Sequence, residues 1–233
     1  MSQVISDAQV AVRSRRHIAA AIDHTQFKPE TDREQIVRLS EEAISFGFAA
    51  VCVNPCWISV AAAVVHGSPV RVASTIGFPL GANSINVKRL EAEEAILLGA
   101  QELEMVINVG ALKSGERRLV QNEIESITRI AHDHGAIIKV ILEMPLLTLE
   151  EKILSCQLCL AANADFVKTA TGFMGGATED DVALMRGVVG NQAGVKAAGG
   201  IRSAASVNAM LDAGADRIGT SSALAIMKEL EAK

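Results

Sequence analysis

Aromatic side chains are scarce in this chain: six Phe, one Trp and no Tyr make up 3% of 233 residues. The core must be built from the aliphatic residues that dominate the 49% hydrophobic fraction. Cores of Ala, Val, Ile and Leu are typical of parallel sheets covered by helices on both faces. An excess of positive charge is also missing. Lys and Arg number 22 against 27 Asp and Glu, a net charge of -5, so general binding to nucleic acid or to an anionic membrane is disfavoured. No apolar run approaches the roughly 18 residues that a membrane span needs. The segment "MSQVISDAQVAVRSRRHIAAAIDHT" carries its basic cluster after residue 12 and lacks the layout of a secretory signal. Cysteines are few, namely Cys52, Cys56, Cys156 and Cys159. A reduced, cytoplasmic protein is the plain expectation.

Metal-ligand patterns are equally thin. Cys156 and Cys159 form a C-x-x-C inside the apolar helical stretch "EEKILSCQLCLAANA". Without a second cluster, that pair reads as two core residues on a helix. His132 and His134 precede Gly135 at a helix end, where solvated side chains are expected. Neither pattern calls for a metal.

What the chain does have is alternation. Short β-branched runs fall at 19–23, 49–54, 70–77, 102–108, 137–143, 164–169, 194–199 and 216–220, separated by longer helical patterns. Thr31 to Glu34 and Thr148 to Glu151 read as capping boxes, Thr178 opens a further helix, and Gly47, Gly99 and Gly135 fall at helix ends. From 116 to 134, Leu119, Val120, Ile124, Ile127, Ile130 and Ala131 recur at helical spacing and predict one buried face. Eight units in 233 residues average about 29 each, close to the ~30-residue βαβ spacing. No Pro/Ser linker or low-complexity tract divides them. The expected architecture is one α/β domain over residues 1–233, a (β/α)8 TIM barrel with a short N-terminal helix near residues 6–16. A doubly wound open sheet is the alternative, but no G-x-G-x-x-G follows its first strand.

In such a barrel, chemistry sits at the carboxyl ends of the strands. Polar residues at those positions are Asp23, Asn54, Glu104, Asn108, Lys139, Glu143, Lys168 and Lys196. Side chains alternate along a strand, so Glu104 and Asn108 share a face, as do Lys139 and Glu143. Lys139 and Glu143 could simply fill the barrel as a buried ion pair. Lys168 and Lys196 are harder to explain by stability, because two ammonium groups at the ends of successive strands repel each other. That repulsion is chemically useful. A lysine attacks a carbonyl only as the free amine, and its ordinary pKa is about 10.4. Burial and a neighbouring ammonium both lower that value and suit the amine to Schiff-base formation. Glu104 could relay protons. The charges alone leave open which lysine attacks; the small residues of "TATG" after Lys168 favour it by leaving room for a substrate.

An anion is the second expectation. "GGIR" (199–202) and "GTSSA" (219–223) follow the seventh and eighth strands. Glycines let backbone approach a phosphate, and a helix N-terminus with Ser221 and Ser222 offers donors and a favourable dipole. No Walker pattern is present, which argues against a nucleoside triphosphate.

The segments "IDHTQFKP", "VCVNP", "IGFPLGAN", "GAQELEMVINVGALKSG", "KVILE", "FVKTATGF", "GVKAAGGIR" and "RIGTSS" occur in order and at matching spacing between about residues 18 and 228. In these the chain resembles the 2-deoxyribose-5-phosphate aldolases, Schiff-base lyases of the (β/α)8 fold. The resemblance implies Lys168 as the Schiff-base lysine, Lys196 as the lysine that lowers its pKa, and Glu104 as the proton relay. It assigns Gly172, Gly199, Gly200, Arg202, Gly219, Ser221 and Ser222 to the substrate phosphate, and Asp23, Cys52 and Thr171 to the pocket. It implies reversible cleavage of 2-deoxy-D-ribose 5-phosphate to D-glyceraldehyde 3-phosphate and acetaldehyde, with no metal or organic cofactor and no nucleic-acid or membrane partner. A homo-oligomer, dimer or tetramer, is expected. Departures from the family pattern are Glu104 where Asp is usual, Met144 and Pro145 after Glu143, and Ala170 in place of Ser. Alternatives are a related Schiff-base aldolase with a shifted substrate, or a catalytically silent sugar-phosphate binder.

Overall fold

A computed structural model describes residues 13–231. Residues 6–12 of the expected N-terminal helix lie outside that range. The first helix described, α1, spans Arg15–Ala21, and the Ser14 hydroxyl caps it by accepting from the His17 N–H. This corrects the strand expected at 19–23. The alanines Ala19 to Ala21 have the highest helix propensity and continue α1, so β1 is Ile22–Gln26.

Seven further strands follow: β2 Ala50–Val53, β3 Arg71–Ile76, β4 Glu102–Val106, β5 Ile137–Ile141, β6 Phe166–Lys168, β7 Gly194–Ala198 and β8 Arg217–Thr220. All pair in parallel and in sequence order, and β8 bonds back to β1 to close the barrel. Between them run α2 (Arg33–Phe46), α3 (Ile58–Val65), α4 (Ile85–Leu97), the short α5 (Val109–Lys113), α6 (Arg117–Asp133), α7 (Leu149–Ala161), α8 (Glu179–Val189) and α9 (Ala204–Asp212); α10 (Ala223–Glu231) follows β8. The fold is a (β/α)8 TIM barrel.

Caps confirm most of the sequence signals and shift one. Thr148 and Glu151 form the expected box on α7, and Thr178 caps α8. On α2 the box is Asp32 with Gln35 rather than Thr31 with Glu34. An ionised carboxylate is the stronger acceptor for the orphan amides, and it takes the Gln35 N–H at 2.8 Å. The α6 face is buried as its periodicity predicts, except Leu119, which is 43% exposed at the edge of the arc. Cys156 and Cys159 are both buried free thiols on α7.

The core lies outside the strands. Val51, Val72, Leu103, Val140, Val195 and Ile218 point outward and join the inner helix faces in one large apolar cluster. Inside, the barrel has two unlike halves. Ala50, Cys52 and Ala73 form a small apolar group with Phe27 above them. The remaining strands, β1 and β4 to β8, turn charged side chains inward.

The β3–α4 loop is pinned by Glu91, which accepts from the Gly77 N–H at 2.5 Å and from the Asn83 amide at 2.8 Å. Gly81 in that loop has φ +66°, and a Cβ there would lie 1.9 Å from the Ile107 carbonyl oxygen. Gly135 has a similar φ of +69° with open space around it. Gly81→Ala should therefore cost about 3 kcal/mol or more, and Gly135→Ala about 1 kcal/mol from backbone strain alone. In thermal melts that is a fall of roughly 6–12 °C against roughly 2–4 °C. Equal shifts for the two variants would contradict the backbone clash.

Candidate active site

Alternation along the strands gathers seven ionisable side chains inside the barrel. β4 contributes Glu102 and Glu104, two residues apart on one face. β1 contributes Asp23, β5 Lys139, β6 Lys168, β7 Lys196 and β8 Arg217. Register sets their levels: Glu104 is paired with Lys139, and Lys168 with Lys196.

Four cations thus meet three carboxylates. Lys139 reaches Asp23 at 2.7 Å, Glu102 at 2.5 Å and Glu104 at 3.0 Å. Lys196 bonds Asp23 at 2.5 Å and the Oε1 of Glu104. Arg217 is shared between Asp23 and Glu102. Lys168 has a single carboxylate contact, Nζ to the Oε2 of Glu104 at 2.6 Å. It is the least neutralised cation of the four, and loss of its proton leaves three charges of each sign. Among these groups Lys168 gives up its proton at the least cost.

The electrostatics agree. Burial pushes the Lys168 ammonium below its ordinary pKa; Glu104 opposes that shift and Lys196 adds to it. Burial by itself would raise Glu104, but Lys168, Lys196 and Lys139 together hold its carboxyl well below the usual range. Asp23 is likewise held down against burial by Lys139, Lys196 and Arg217. Lys139 moves the other way from Lys168, because Asp23, Glu104 and Glu102 overcome the effect of burial and raise it. Cys52 is pushed up to about 12, first by burial and then by Glu104. It stays a thiol.

Above this cluster, the loops after β1, β6, β7 and β8 surround a cavity of about 330 Å³, within the usual range for small-molecule sites. Lys168 is the one member of the ionic cluster that lines it. Thr171, Gly172, Gly199, Gly200, Arg202, Gly219 and Ser221 line it too, as the sequence suggested. No Asp or Glu does, whereas Lys28 and Arg202 add two cations to Lys168. An anion is the ligand such a mouth accepts. Gly199 and Gly200 both have positive φ, 97° and 77°, a turn that only glycine makes freely. At Gly199 the β6 and β7 loops approach backbone to backbone: a Cβ there would stand 2.9 Å from the Gly176 Cα and 3.3 Å from the Gly172 Cα. Gly219 serves a different end, because a Cβ there would meet the Lys196 Cε at 2.9 Å. It makes room for that side chain.

Three of the expected substrate contacts do not line the cavity. Asp23 and Cys52 are fully buried beneath it, Asp23 bonded to the cations and Cys52 packed against Ala50 and Ala73. Ser222 lies in an adjoining depression between α2 and α10, and its N–H is taken by the Thr220 hydroxyl at 2.9 Å. Three polar residues of the strand ends also stand apart. Glu143 does not pair with Lys139; it accepts from the Thr171 hydroxyl at 2.5 Å and braces the β6 loop. Asn54 holds the Phe27 carbonyl at 3.3 Å, and Asn108 caps α5. His24 faces outward to Glu42, and no cluster of three or more metal-ligating side chains occurs among the described residues. Glu102, Arg217, Phe27 and Lys28 were not singled out from the sequence. The two-residue spacing of Glu102 from Glu104 and of Arg217 from Gly219 was the available signal for the first two.

Fold and site together define a (β/α)8 enzyme with a buried reactive amine below an anion-accepting mouth. The chain belongs to the DeoC/LacD aldolase family, whose model, described as DeoC/LacD family aldolase, matches residues 17–229. It is 56% identical over 212 residues to a deoxyribose-phosphate aldolase of Streptococcus sanguinis, covering 91% of this chain and 96% of that protein. A Geobacillus deoxyribose-phosphate aldolase is 53% identical over 213 residues, covering 91% of this chain and 95% of the relative. Among solved structures, the tetrameric deoxyribose phosphate aldolase of Aeropyrum pernix superposes with a TM-score of 0.88 at 34% identity, covering 94% of this chain and 92% of that one.

The amine's pKa gives a sign for pH. Because Lys168 is shifted down, its reactive fraction rises with pH through that lowered value and is already substantial below the ordinary lysine range. Lys196→Met removes an ammonium that depresses it, so Lys168 should titrate higher. The rate at which borohydride traps an added aldehyde on Lys168 should then rise at higher pH than in wild type, and fall about tenfold or more at pH 7. An unmoved pH profile would remove Lys196 from this role.

Proposed function

We propose that the chain is a Schiff-base aldolase that reversibly cleaves 2-deoxy-D-ribose 5-phosphate to D-glyceraldehyde 3-phosphate and acetaldehyde. The observation that carries this reading is the position of Lys168. It is the least neutralised cation of a buried cluster and the member that reaches the cavity. The printed names of the relatives support the same activity.

The neutral Nζ of Lys168 attacks the aldehyde carbon of the open-chain sugar, and the carbinolamine loses water to give an iminium ion. The C3 hydroxyl gives up its proton, the C2–C3 bond breaks, and glyceraldehyde 3-phosphate leaves. The electron pair stays on C2 as an enamine, with the iminium nitrogen as the electron sink. Protonation of C2 and hydrolysis then free acetaldehyde. Glu104 is held ionised and bridges both amines, which suits it to accept on one oxygen the proton that Lys168 sheds, while the Lys196 ammonium donating to its other oxygen resupplies a proton to the site. Arg202, Lys28, the amides around Gly199 and Gly200, and the N-terminus of α10 at Ser221 bind the phosphate. That binding sets the reacting carbon over Lys168.

We further read residues 1–233 as one domain of a cytoplasmic homo-oligomer. The free cysteines suit a reducing compartment, and the tetrameric Aeropyrum relative supports assembly. No helix among the described residues is long and apolar enough to cross a membrane.

Acetaldehyde with borohydride should add a two-carbon unit to Lys168, located by peptide mass spectrometry. Lys168→Leu should lose both the label and deoxyribose 5-phosphate cleavage, the latter by about 10³-fold or more. A label on another lysine, or cleavage that survives in the variant, would refute the assignment.

A further inference from the structure

Arg217 opens β8, so its guanidinium enters the ionic cluster from the end of the barrel opposite the cavity. Neither Arg217 nor its partner Glu102 lines the cavity. The Arg217 Nε donates to the Oδ1 of Asp23 at 2.8 Å, and Nη2 donates to the Oε2 of Glu102 at 3.0 Å. Glu102 also receives Lys139 at 2.5 Å, and the half-exposed Arg71 of β3 approaches it to 3.9 Å.

Arg217 differs in kind from the lysines around it. A guanidinium does not give up its proton in a protein. Here Asp23 and Glu102 strengthen its hold on that proton against the effect of burial. It is a fixed charge. When the cluster sheds a proton, only a lysine can supply it.

The division of acceptors then selects the lysine. Arg217 takes the Oδ1 of Asp23 and leaves Oδ2 to Lys139 and Lys196. On Glu102 it shares Oε2 with Lys139. Neither carboxylate pairs with Lys168, whose one carboxylate contact is the Oε2 of Glu104. The other groups that face Lys168 are the Lys196 ammonium, the Cys52 thiol and, in the cavity, Lys28 and Arg202.

With Arg217 present, four positive charges meet three negative ones, and release of one proton balances them. Without it, Lys139, Lys168 and Lys196 would already balance Asp23, Glu102 and Glu104. Deprotonating Lys168 would then leave an unpaired negative charge in the barrel, a costly state.

We propose that Arg217 is a positioning residue for the aldolase reaction, a fixed charge that occupies Asp23 and Glu102 from below and so makes Lys168 the group that sheds its proton. The role rests on the aldolase reading above, in which Lys168 is the nucleophile. Once the proton has gone to solvent, the lone pair left on Nζ attacks the carbonyl carbon. Arg217 touches neither substrate nor reacting atoms. It acts across β7, two strand spacings or about 10 Å from β6. At an effective dielectric of about 20, one charge at ~10 Å moves a titration by about one pH unit.

The test follows, against pH, the rate at which acetaldehyde and cyanoborohydride add a two-carbon unit to Lys168, located by peptide mass spectrometry. Arg217→Met should move the midpoint of that profile up by about one pH unit. Glu102→Gln removes a negative charge instead and should move it down by a similar amount. The double variant sets the three lysines against Asp23 and Glu104, again an excess of one positive charge. Its midpoint should return to within about half a pH unit of wild type. Each variant is checked for native circular dichroism. Damage to packing alone lowers the extent of labelling and gives no pair of opposite shifts. Midpoints that stay in place, or that move in the same direction for Arg217→Met and Glu102→Gln, overturn the proposal. Should Arg217→Met fail to fold, the downward shift in Glu102→Gln and its reversal in the double variant carry the same test. No label on wild-type Lys168 refutes the aldolase reading itself, whereas a label with unmoved midpoints refutes only the role of Arg217.

Discussion

The carboxylate of Glu104 is the point on which this barrel turns. It accepts Lys168 on one oxygen and Lys196 and Lys139 on the other. Without it, three buried ammonium groups would face one another with only Asp23 and Glu102 to neutralise them. A buried ionic cluster adds little net stability, because desolvation offsets most of the Coulomb gain. Its value here is the unequal division of charge. Lys139, Lys196 and Arg217 each hold two or more carboxylate contacts, and Lys168 holds one. A network that is short of one negative charge makes one amine easily deprotonated, and the fold turns that amine toward the cavity.

Stability comes from elsewhere. The outward faces of the strands and the inner faces of the helices bury the aliphatic residues in one continuous layer. With that layer complete, the barrel interior is free to be polar on one side and small and apolar on the other. Division of labour between the two sides of each strand explains how so costly a set of charges persists: outward positions secure the fold, and inward positions serve the chemistry.

The alternation of strand and helix was legible in the sequence because β-branched runs, capping residues and glycines punctuate it at regular intervals. β1 was misplaced because α1 runs straight through Ala21 into Ile22, with no glycine or proline between to mark where the helix ends. Lys168, Lys196 and Glu104 were legible because an ion inside an apolar strand stands out. Glu102 and Arg217 sit at strand starts, where a polar residue looks ordinary, so their part in the cluster stayed hidden. Phe27 and Lys28 belong to a loop whose path depends on contacts remote in sequence, such as Asn54 holding the Phe27 carbonyl. Asp23 and Cys52 were identified as pocket positions, yet strand alternation alone could not tell a wall from a floor.

The contact of Gly199 with Gly172 and Gly176 has a mechanical side. A Cβ on Gly199 or Gly176 would press on the opposite loop's backbone, which has no rotamer with which to yield. The width of the opening above Lys168 is therefore kept by the absence of side chains at these positions.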